Sequence, residues 1–442
     1  MNRALRLAYS TAGQLARLAA ALAPVGERPN GGKLVRALRA RHGIRARYAA
    51  WADKRDPSRP LLWMHAPSVG EALQARPILE LLRRQYPEVQ LAFTFFSPSA
   101  EGLAHALPVD FADYLPFDTV GDVRVALEAL HPTALVFSKT DAWPLLLEEA
   151  ARRGVKLGMI SGTLSPVSSR QSGLATRLLR ESYALFDAVG AISEEDAQRL
   201  VRLGVRPEVV AVTGDTRYDQ VWQRARSVDR ASPVLQELGS RPTLVAGSTW
   251  PPDEEVLFPA WVALLRDYPD LRLIVAPHEP RAAAVSAIEA WVTQHRLRSA
   301  RLGDSLEALG SADAVVVDRV GVLGDLYAVA SVAFVGGGFH AAGLHSVLEP
   351  AAFGVPVVFG PRYGSSRDAA LLLRARGARS VATVDETVEV LAQWFGDAAA
   401  RRAAGEAARA LVEAGTGAAE RTLALVLRLL GVPASAQARP SV

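Results

Sequence analysis

The sequence predicts an α/β protein built from two Rossmann-like parallel-sheet domains facing across a cleft. Three observations carry that prediction. A chain of 442 residues suits two domains at roughly 100–200 residues each. From residue 61 onward, short continuously apolar runs alternate with helix-period segments. Strands covered on both faces of a parallel sheet read this way. The rhythm breaks once, over polar residues 219–241, and then restarts.

The first block opens with LLWMHA (61–66) as a strand and 71–84 as a helix whose apolar side is Leu73, Ile78, Leu79 and Leu82. Further strands are expected at VQLAFTFF (89–96), ALVFS (134–138), VKLGMIS (155–161), DAVGAIS (187–193) and VVAVTG (209–214). Gly204 ends the helix before the last of these. The break at 219–241 reads as an interdomain connection with a short helix. The second block supplies TLVAGS (243–248), LRLIVA (271–276), ADAVVVD (312–318), SVAFVGG (331–337) and VPVVFG (355–360). The expected division is an N-terminal helix at 1–30, a first domain at 31–218, a linker at 219–241, a second domain at 242–432 and a disordered tail at 433–442. Ligands of open α/β sheets bind at the carboxyl ends of the strands, so the cleft is the expected site.

The charge is unevenly spread. Residues 1–60 hold thirteen Lys/Arg and three acids, a local +10 on a chain whose formal total is +4, which leaves −6 for the rest. A basic front on an acidic body points to a local anionic partner. Residues 4–24 are apolar with Arg6 and Arg17 embedded. This reads as a helix lying on or dipping into a membrane with its basic residues at the headgroups, or as an ordinary amphipathic helix packed on the protein. Few aromatics interleave with the N-terminal arginines, so nucleic acid is not an expected partner. With no cysteine, disulfide, zinc-thiolate and cysteine-nucleophile chemistry are excluded. No G-x-G-x-x-G follows the first strand, and no Walker loop or H-E-x-x-H occurs, which argues against NAD enzymes, P-loop NTPases and a protein-built zinc site.

The strongest local feature is FVGGGFHAAGLHSVLEPAAFGVPVVFGP (334–361). A strand ends in Gly336-Gly337-Gly338, and a helix is expected near Ser346 as N-cap, with Glu349 three residues on as in a capping box. Glycines let a ligand approach the backbone, and a helix N-terminus offers free N–H groups to a phosphate. The same glycines would also serve tight strand–helix packing.

Here a resemblance becomes specific. Gly-x-x-His, then Leu-Glu-Pro-Ala-Ala before a Val-Pro-Val strand, resembles the nucleotide-binding segment of Kdo (3-deoxy-D-manno-octulosonic acid) transferases. His65-Ala66-Pro67-Ser68-Val69-Gly70-Glu71 resembles that family's first-strand loop, and matches continue in order over about residues 30–430. The resemblance implies the two-Rossmann architecture called GT-B and inverting, metal-independent transfer with no cofactor. CMP-Kdo would be the co-substrate, a lipid A precursor the acceptor, and the cytoplasmic face of the inner membrane the location. It further implies that His278, Arg281, Gly337, His345, Ser346, Glu349 and Asp368 serve the donor in the second domain, with Glu349 on the ribose hydroxyls. Ser68, Gly70 and Glu71 would face the acceptor in the first.

Inverting transfer needs a base for the acceptor hydroxyl, usually a carboxylate. The family's Glu lies in a Gly-Glu-Arg-(Leu/Tyr)-Gly segment that here reads Arg39-Ala40-Arg41-His42-Gly43, with Ala40 at the base position. Its Glu-Thr-Glu-x-Trp-Pro becomes Lys139-Thr140-Asp141-Ala142-Trp143-Pro144. Its Asn-Ala-Arg-Leu-Ser loses the arginine over 161–165, and Pro277, Ala341 and Ala342 replace polar residues near the donor. The candidate bases are Asp141, Glu71 and His42. Asp141 alternatively serves as a helix N-cap before Trp143-Pro144. A sister glycosyltransferase with another donor or acceptor, a catalytically impaired nucleotide-sugar-binding homologue and a two-Rossmann sugar-nucleotide epimerase remain alternatives.

Overall fold

The structure, a computed structural model, describes residues 33–165 and 179–433 together with positions 6, 9–11, 13–15, 17 and 18. The chain divides into two compact units, Met1–Asp219 with Gly417–Val442, and Gln220–Thr416.

The first unit holds strands β1 (Leu61–His65), β2 (Gln90–Phe95), β3 (Phe111–Tyr114), β4 (Ala134–Ser138), β5 (Lys156–Gly162), β6 (Ala188–Ala191) and β7 (Val210–Val212). They form one all-parallel sheet in the order β3-β2-β1-β4-β5-β6-β7. The residues of β1, β2 and β4 are all buried, which is why they read as unbroken apolar runs. Trp63, Phe93 and Phe137 fill the centre with no exposure. The chain order reverses between β1 and β4, so their carboxyl ends frame the switch point where α/β sheets take ligands.

The second unit repeats the plan. Strands β8 (Thr243–Thr249), β9 (Arg272–Pro277), β10 (Ser299–Arg301), β11 (Ala314–Val316), β12 (Val332–Val335), β13 (Val357–Phe359) and β14 (Ala378–Ser380) form a parallel sheet in the order β10-β11-β9-β8-β12-β13-β14. Its switch point lies between β8 and β12, at the end of the strand that runs into Gly336.

Three strands, β3, β10 and β14, have no counterpart in the strands expected from the sequence. Each is a sheet edge, covered less completely than a central strand, so none presents an unbroken apolar run. The polar break at 219–241 is helical, with Thr216–Ser227 and Pro233–Leu238, and the second helix buries Leu235 and Leu238 in the second unit's core. The expected second domain at 242–432 also needs correcting at its end. The helix Ala418–Leu430 belongs to the first unit, where Leu423, Val426 and Leu430 join its core. Gly158 of β5 makes room for it, since a Cβ there would meet Leu429. Asp219 caps this helix, accepting from Gly417 N at 2.6 Å and Ala419 N at 2.8 Å.

The N-terminal helix expected at 1–30 and the tail at 433–442 lie mostly outside the described residues. The described positions of 6–18 are helical. Their arginines reach acids of the first unit, with Arg6 paired to Glu148 at 3.3 Å and Arg17 to Asp122 at 3.5 Å. Leu15 and Leu18, by contrast, are 62% and 57% exposed. Among the described residues no helix is long and apolar enough to cross a membrane.

Candidate functional site

At the switch point of the first sheet, β1 ends in His65, which is fully buried. Its Nε2 lies 3.3 Å from Asp141 Oδ2, and its Nδ1 lies 3.0 Å from Thr94 Oγ1. The indole N–H of Trp63 donates to the same Thr94 oxygen at 2.9 Å. A hydroxyl has one proton to give, and an indole only donates. The Asp141 carboxylate only accepts, so the contact at Nε2 places the His65 proton there, and Nδ1 accepts from the Thr94 hydroxyl, which itself accepts from Trp63. Asp141 Oδ2 also accepts from Trp143 Nε1 at 3.0 Å. The Asp141 side chain keeps 23% of its surface exposed.

Asp141 is not the helix cap. The helix Pro144–Arg152 has Trp143 as N-cap, and its N–H groups at Leu145 and Leu146 are taken by Asp118, at 3.2 and 2.8 Å. Burial lifts Asp118 to about 6, against the hydrogen bonds from Tyr9 and the two backbone N–H groups.

Glu71 is held differently. Lys139 Nζ donates to Glu71 Oε1 at 2.8 Å, and the Ser68 hydroxyl donates to Oε2. Burial opposes its ionisation, but these two partners prevail and hold the carboxyl below its usual range. A carboxylate so tied is a poor base. Ser68 is thereby a partner of Glu71 and the N-cap of Val69–Gln85, and Gly70 sits exposed in that helix's first turn.

His42 lies apart from both, in a cavity with Arg17, Arg41, Arg45 and Asp122. The three base candidates are thus in three settings. One row of contacts does link Arg41, the neighbour of Ala40 in sequence, to Asp141. Arg41 stacks on Phe96 at 4.4 Å, Phe96 stacks on Trp143 at 5.5 Å, and Trp143 donates to Asp141.

In the second unit the glycine loop is organised by Asp253, which has no exposed surface. Its carboxylate accepts from Trp250 N at 2.9 Å, Gly337 N at 2.8 Å and Phe339 N at 3.0 Å. One acid therefore caps the helix Pro251–Leu264 and pins the loop after β12. Gly337 has φ +88°, and a Cβ there would run into the carbonyl of Gly343, so only glycine closes this turn.

Four rings pack over the loop. Trp250 stacks on His340 at 4.2 Å and on His278 at 4.6 Å, and His278 stacks on His345 at 4.4 Å. Trp250 Nε1 donates to His345 Nε2 at 3.1 Å, which places the His345 proton on Nδ1. Burial, then the neighbouring His278, pushes His345 down to about 4, so it stays neutral and can accept.

A 3-deoxy-D-manno-octulosonic acid transferase from Chlamydophila psittaci is 32% identical over 324 residues, covering 72% of this chain and 73% of the relative. This chain belongs to the 3-deoxy-D-manno-octulosonic acid (Kdo) transferase family. A Bordetella pertussis member is 30% identical over 374 residues, covering 82% of this chain and 86% of that one. The family profile described as 3-deoxy-D-manno-octulosonic-acid transferase matches residues 25–220. Among solved structures, a UDP-GlcNAc 2-epimerase from Neisseria meningitidis has a TM-score of 0.59 at 13% identity, covering 83% of this chain and all of that one. Another from Methanocaldococcus jannaschii scores 0.54 at 12%, covering 80% and 99%. At such identity these show the two-sheet fold alone.

The donor-side residues expected from the Kdo transferase resemblance are only partly together. Gly337, His345 and His278 meet around Trp250. Arg281 points away, 77% exposed and paired with Glu279 at 2.9 Å. Asp368 is buried in the first turn of Arg367–Arg374. Ser346 is exposed and is not the cap. The short helix Leu348–Ala352 starts behind Val347, so the expected capping box with Glu349 does not form. Glu349 is instead half-buried near Tyr327, Arg224 and Asp325, and desolvation there raises its carboxyl.

Sequence reasoning missed Trp250, Asp253, His340, His65 and Phe96. The W-x-x-D spacing before an apolar helix was a usable signal for Asp253. His65 stood in the sequence as the first residue of the loop motif 65–71, with no role of its own.

Proposed function

We propose that this chain transfers Kdo from CMP-Kdo to a lipid A precursor with inversion, in lipopolysaccharide core biosynthesis. The observation that carries the reading is the relationship to Kdo transferases, above 30% identity over 73% of one relative's length. The loop pinned by Asp253, with Gly337 and His345, takes the donor phosphate, and Glu349 takes the ribose. Asp141 removes the proton of the acceptor hydroxyl as that oxygen bonds to the anomeric carbon. The bond from that carbon to the phosphate oxygen breaks, and CMP leaves with the electron pair. Support for Asp141 comes from its partial exposure, its place beside the first sheet's switch point and its contact row to Arg41, the neighbour of Ala40 in sequence. The reaction belongs at the cytoplasmic face of the inner membrane, a reading supported by exposed Leu15 and Leu18 on the N-terminal segment.

A sister reaction with another donor is the second reading. It is favoured by the Trp250–His340 stack over the donor loop and by Lys139 neutralising Glu71. Mass spectrometry of a lipid A precursor incubated with the protein and CMP-Kdo tests the first. A gain of one or more Kdo units supports it. No gain from folded protein rejects it, and a nucleotide-sugar panel then decides between a sister enzyme and a binding homologue.

A further inference from the structure

His340 and His345 stand in one loop after β12, and each has a ring nitrogen occupied from within the second unit. His340 Nδ1 accepts from Ala342 N at 3.1 Å, as His345 Nε2 accepts from Trp250 Nε1 at 3.1 Å. A hydrogen bond at one nitrogen of an imidazole fixes which nitrogen carries the proton. The protons therefore sit on His340 Nε2 and His345 Nδ1. Among the described residues neither of these N–H groups has a hydrogen-bond partner, and neither nitrogen is buried.

The loop holds His340 in place. Its backbone N–H donates to Gly337 O at 3.3 Å, and its carbonyl accepts from Gly343 N at 3.2 Å. Phe339, the residue before it, is anchored through its N–H on Asp253. Arg362 N donates to Gly338 O at 2.9 Å, which ties the loop to the segment after β13. The His340 ring lies flat on Trp250, with 4.2 Å between centroids and 7° between planes. Asp253, the acid beneath the loop, has no exposed surface and spends its oxygens on three backbone N–H groups. His340 Nε2 is thus a pre-set N–H donor, unspent, beside the carboxyl ends of β8 and β12. Such a donor suits an oxyanion, and an imidazole turned the other way would present a lone pair and repel it.

We infer that His340 Nε2–H binds an oxyanion of the sugar nucleotide, which makes His340 a donor-site residue alongside His345. The inference rests on the proposed Kdo transfer and adds a residue that the family resemblance does not bring in. CMP-Kdo offers two oxyanions, the phosphate and the carboxylate of the octulosonic acid. Both accept the same N–H, and titrating CMP beside CMP-Kdo separates them.

The test is calorimetry on the full chain with each of the two ligands. His340→Phe keeps a flat ring for Trp250 and removes the N–H, whereas His340→Gln restores an N–H at the reach of Nε2. His340→Phe is expected to weaken CMP-Kdo binding ~10-fold or more, and His340→Gln to recover part of the loss. A loss seen with both ligands assigns the contact to the phosphate. A loss confined to CMP-Kdo assigns it to the sugar carboxylate. Wild-type affinity for both ligands in His340→Phe, in protein that melts as wild type does, overturns the proposal and leaves the Kdo-transfer reading intact. Binding as weak in His340→Gln as in His340→Phe overturns it too, since the N–H is then not what binds. Wild type that binds neither ligand rejects the transfer reading and this proposal together. Should His340→Phe fail to fold, His340→Ala takes its place.

Discussion

His65 and Asp141 meet through Nε2 and Oδ2 at 3.3 Å, across the switch point of the first sheet. Thr94 and Trp63 fix the imidazole behind that contact, so His65 orients the carboxylate without competing for its proton. Asp141→Asn keeps an oxygen for both N–H donors but removes the basic site. Its turnover is expected to fall ~10²-fold or more with donor affinity unchanged. Single-turnover transfer and donor calorimetry on the same preparation check this. A near wild-type rate would remove Asp141 from the chemistry.

The Lys139–Glu71 pair makes a separate claim about acid stability. Glu71 titrates lower in the fold than its ordinary 4.5, so the folded state holds fewer protons. Its contribution is therefore present above about pH 4.5 and lost as pH falls through the depressed value. Glu71→Gln is expected to flatten the acid limb of melting temperature against pH. Transfer activity should survive the change. An abolished rate with an intact fold would return Glu71 to the list of bases.

Asp253 satisfies three buried backbone N–H groups from two segments. Asp253→Ala strands all three and is expected to cost about 3 kcal/mol or more in urea unfolding. Donor binding should vanish with it, because Gly337 loses its anchor. A cost below ~1 kcal/mol would mean that the glycine loop holds its own shape.

Glu349 is the residue for which sequence and structure give different reasons for one expectation. The sequence offers it as a cap, and the structure places it half-buried beside Tyr327 with a raised carboxyl. An acid held there without a capping task is available to a sugar hydroxyl. Glu349→Ala is expected to abolish nucleotide binding by calorimetry, and unchanged affinity would refute its donor role.

The sequence made the central strands legible because β1, β2 and β4 are covered on both faces, which writes burial as a run of apolar letters. Edge strands such as β10 carry no such run. Nor does local pattern reveal that Ala418–Leu430 returns to the first unit, since its apolar stripe would suit either core. The glycine loop was legible as a tight turn after a buried strand, but its anchor was not. Asp253 lies 84 positions from Gly337, and only the parallel pairing of β8 with β12 brings them together. Likewise, His65 and Asp141 are separated by 76 positions, and the adjacency of β1 and β4 makes them neighbours.

Asp118 shows the opposite pH behaviour from Glu71 and so separates the two acids experimentally. Burial raises it to about 6 from an ordinary 3.8, so between those values the folded state holds more protons than the unfolded chain. Its contribution is greatest at low pH and is lost as pH rises through about 6. Asp118→Asn removes that titration while keeping an oxygen for Leu145 or Leu146. Relative to the variant, wild type is expected to lose stability on going from pH 4 to pH 7, by an amount on the order of 1–3 kcal/mol. Tyr9 donates to the same carboxylate at 2.8 Å, and ionisation strengthens such a bond. The N-terminal segment should therefore be held more tightly above pH 6, even as burial of the charge lowers global stability. Proteolysis of the first residues against pH, run beside chemical unfolding, reads the two effects separately. Parallel curves would show that Tyr9 does not tether the segment through Asp118.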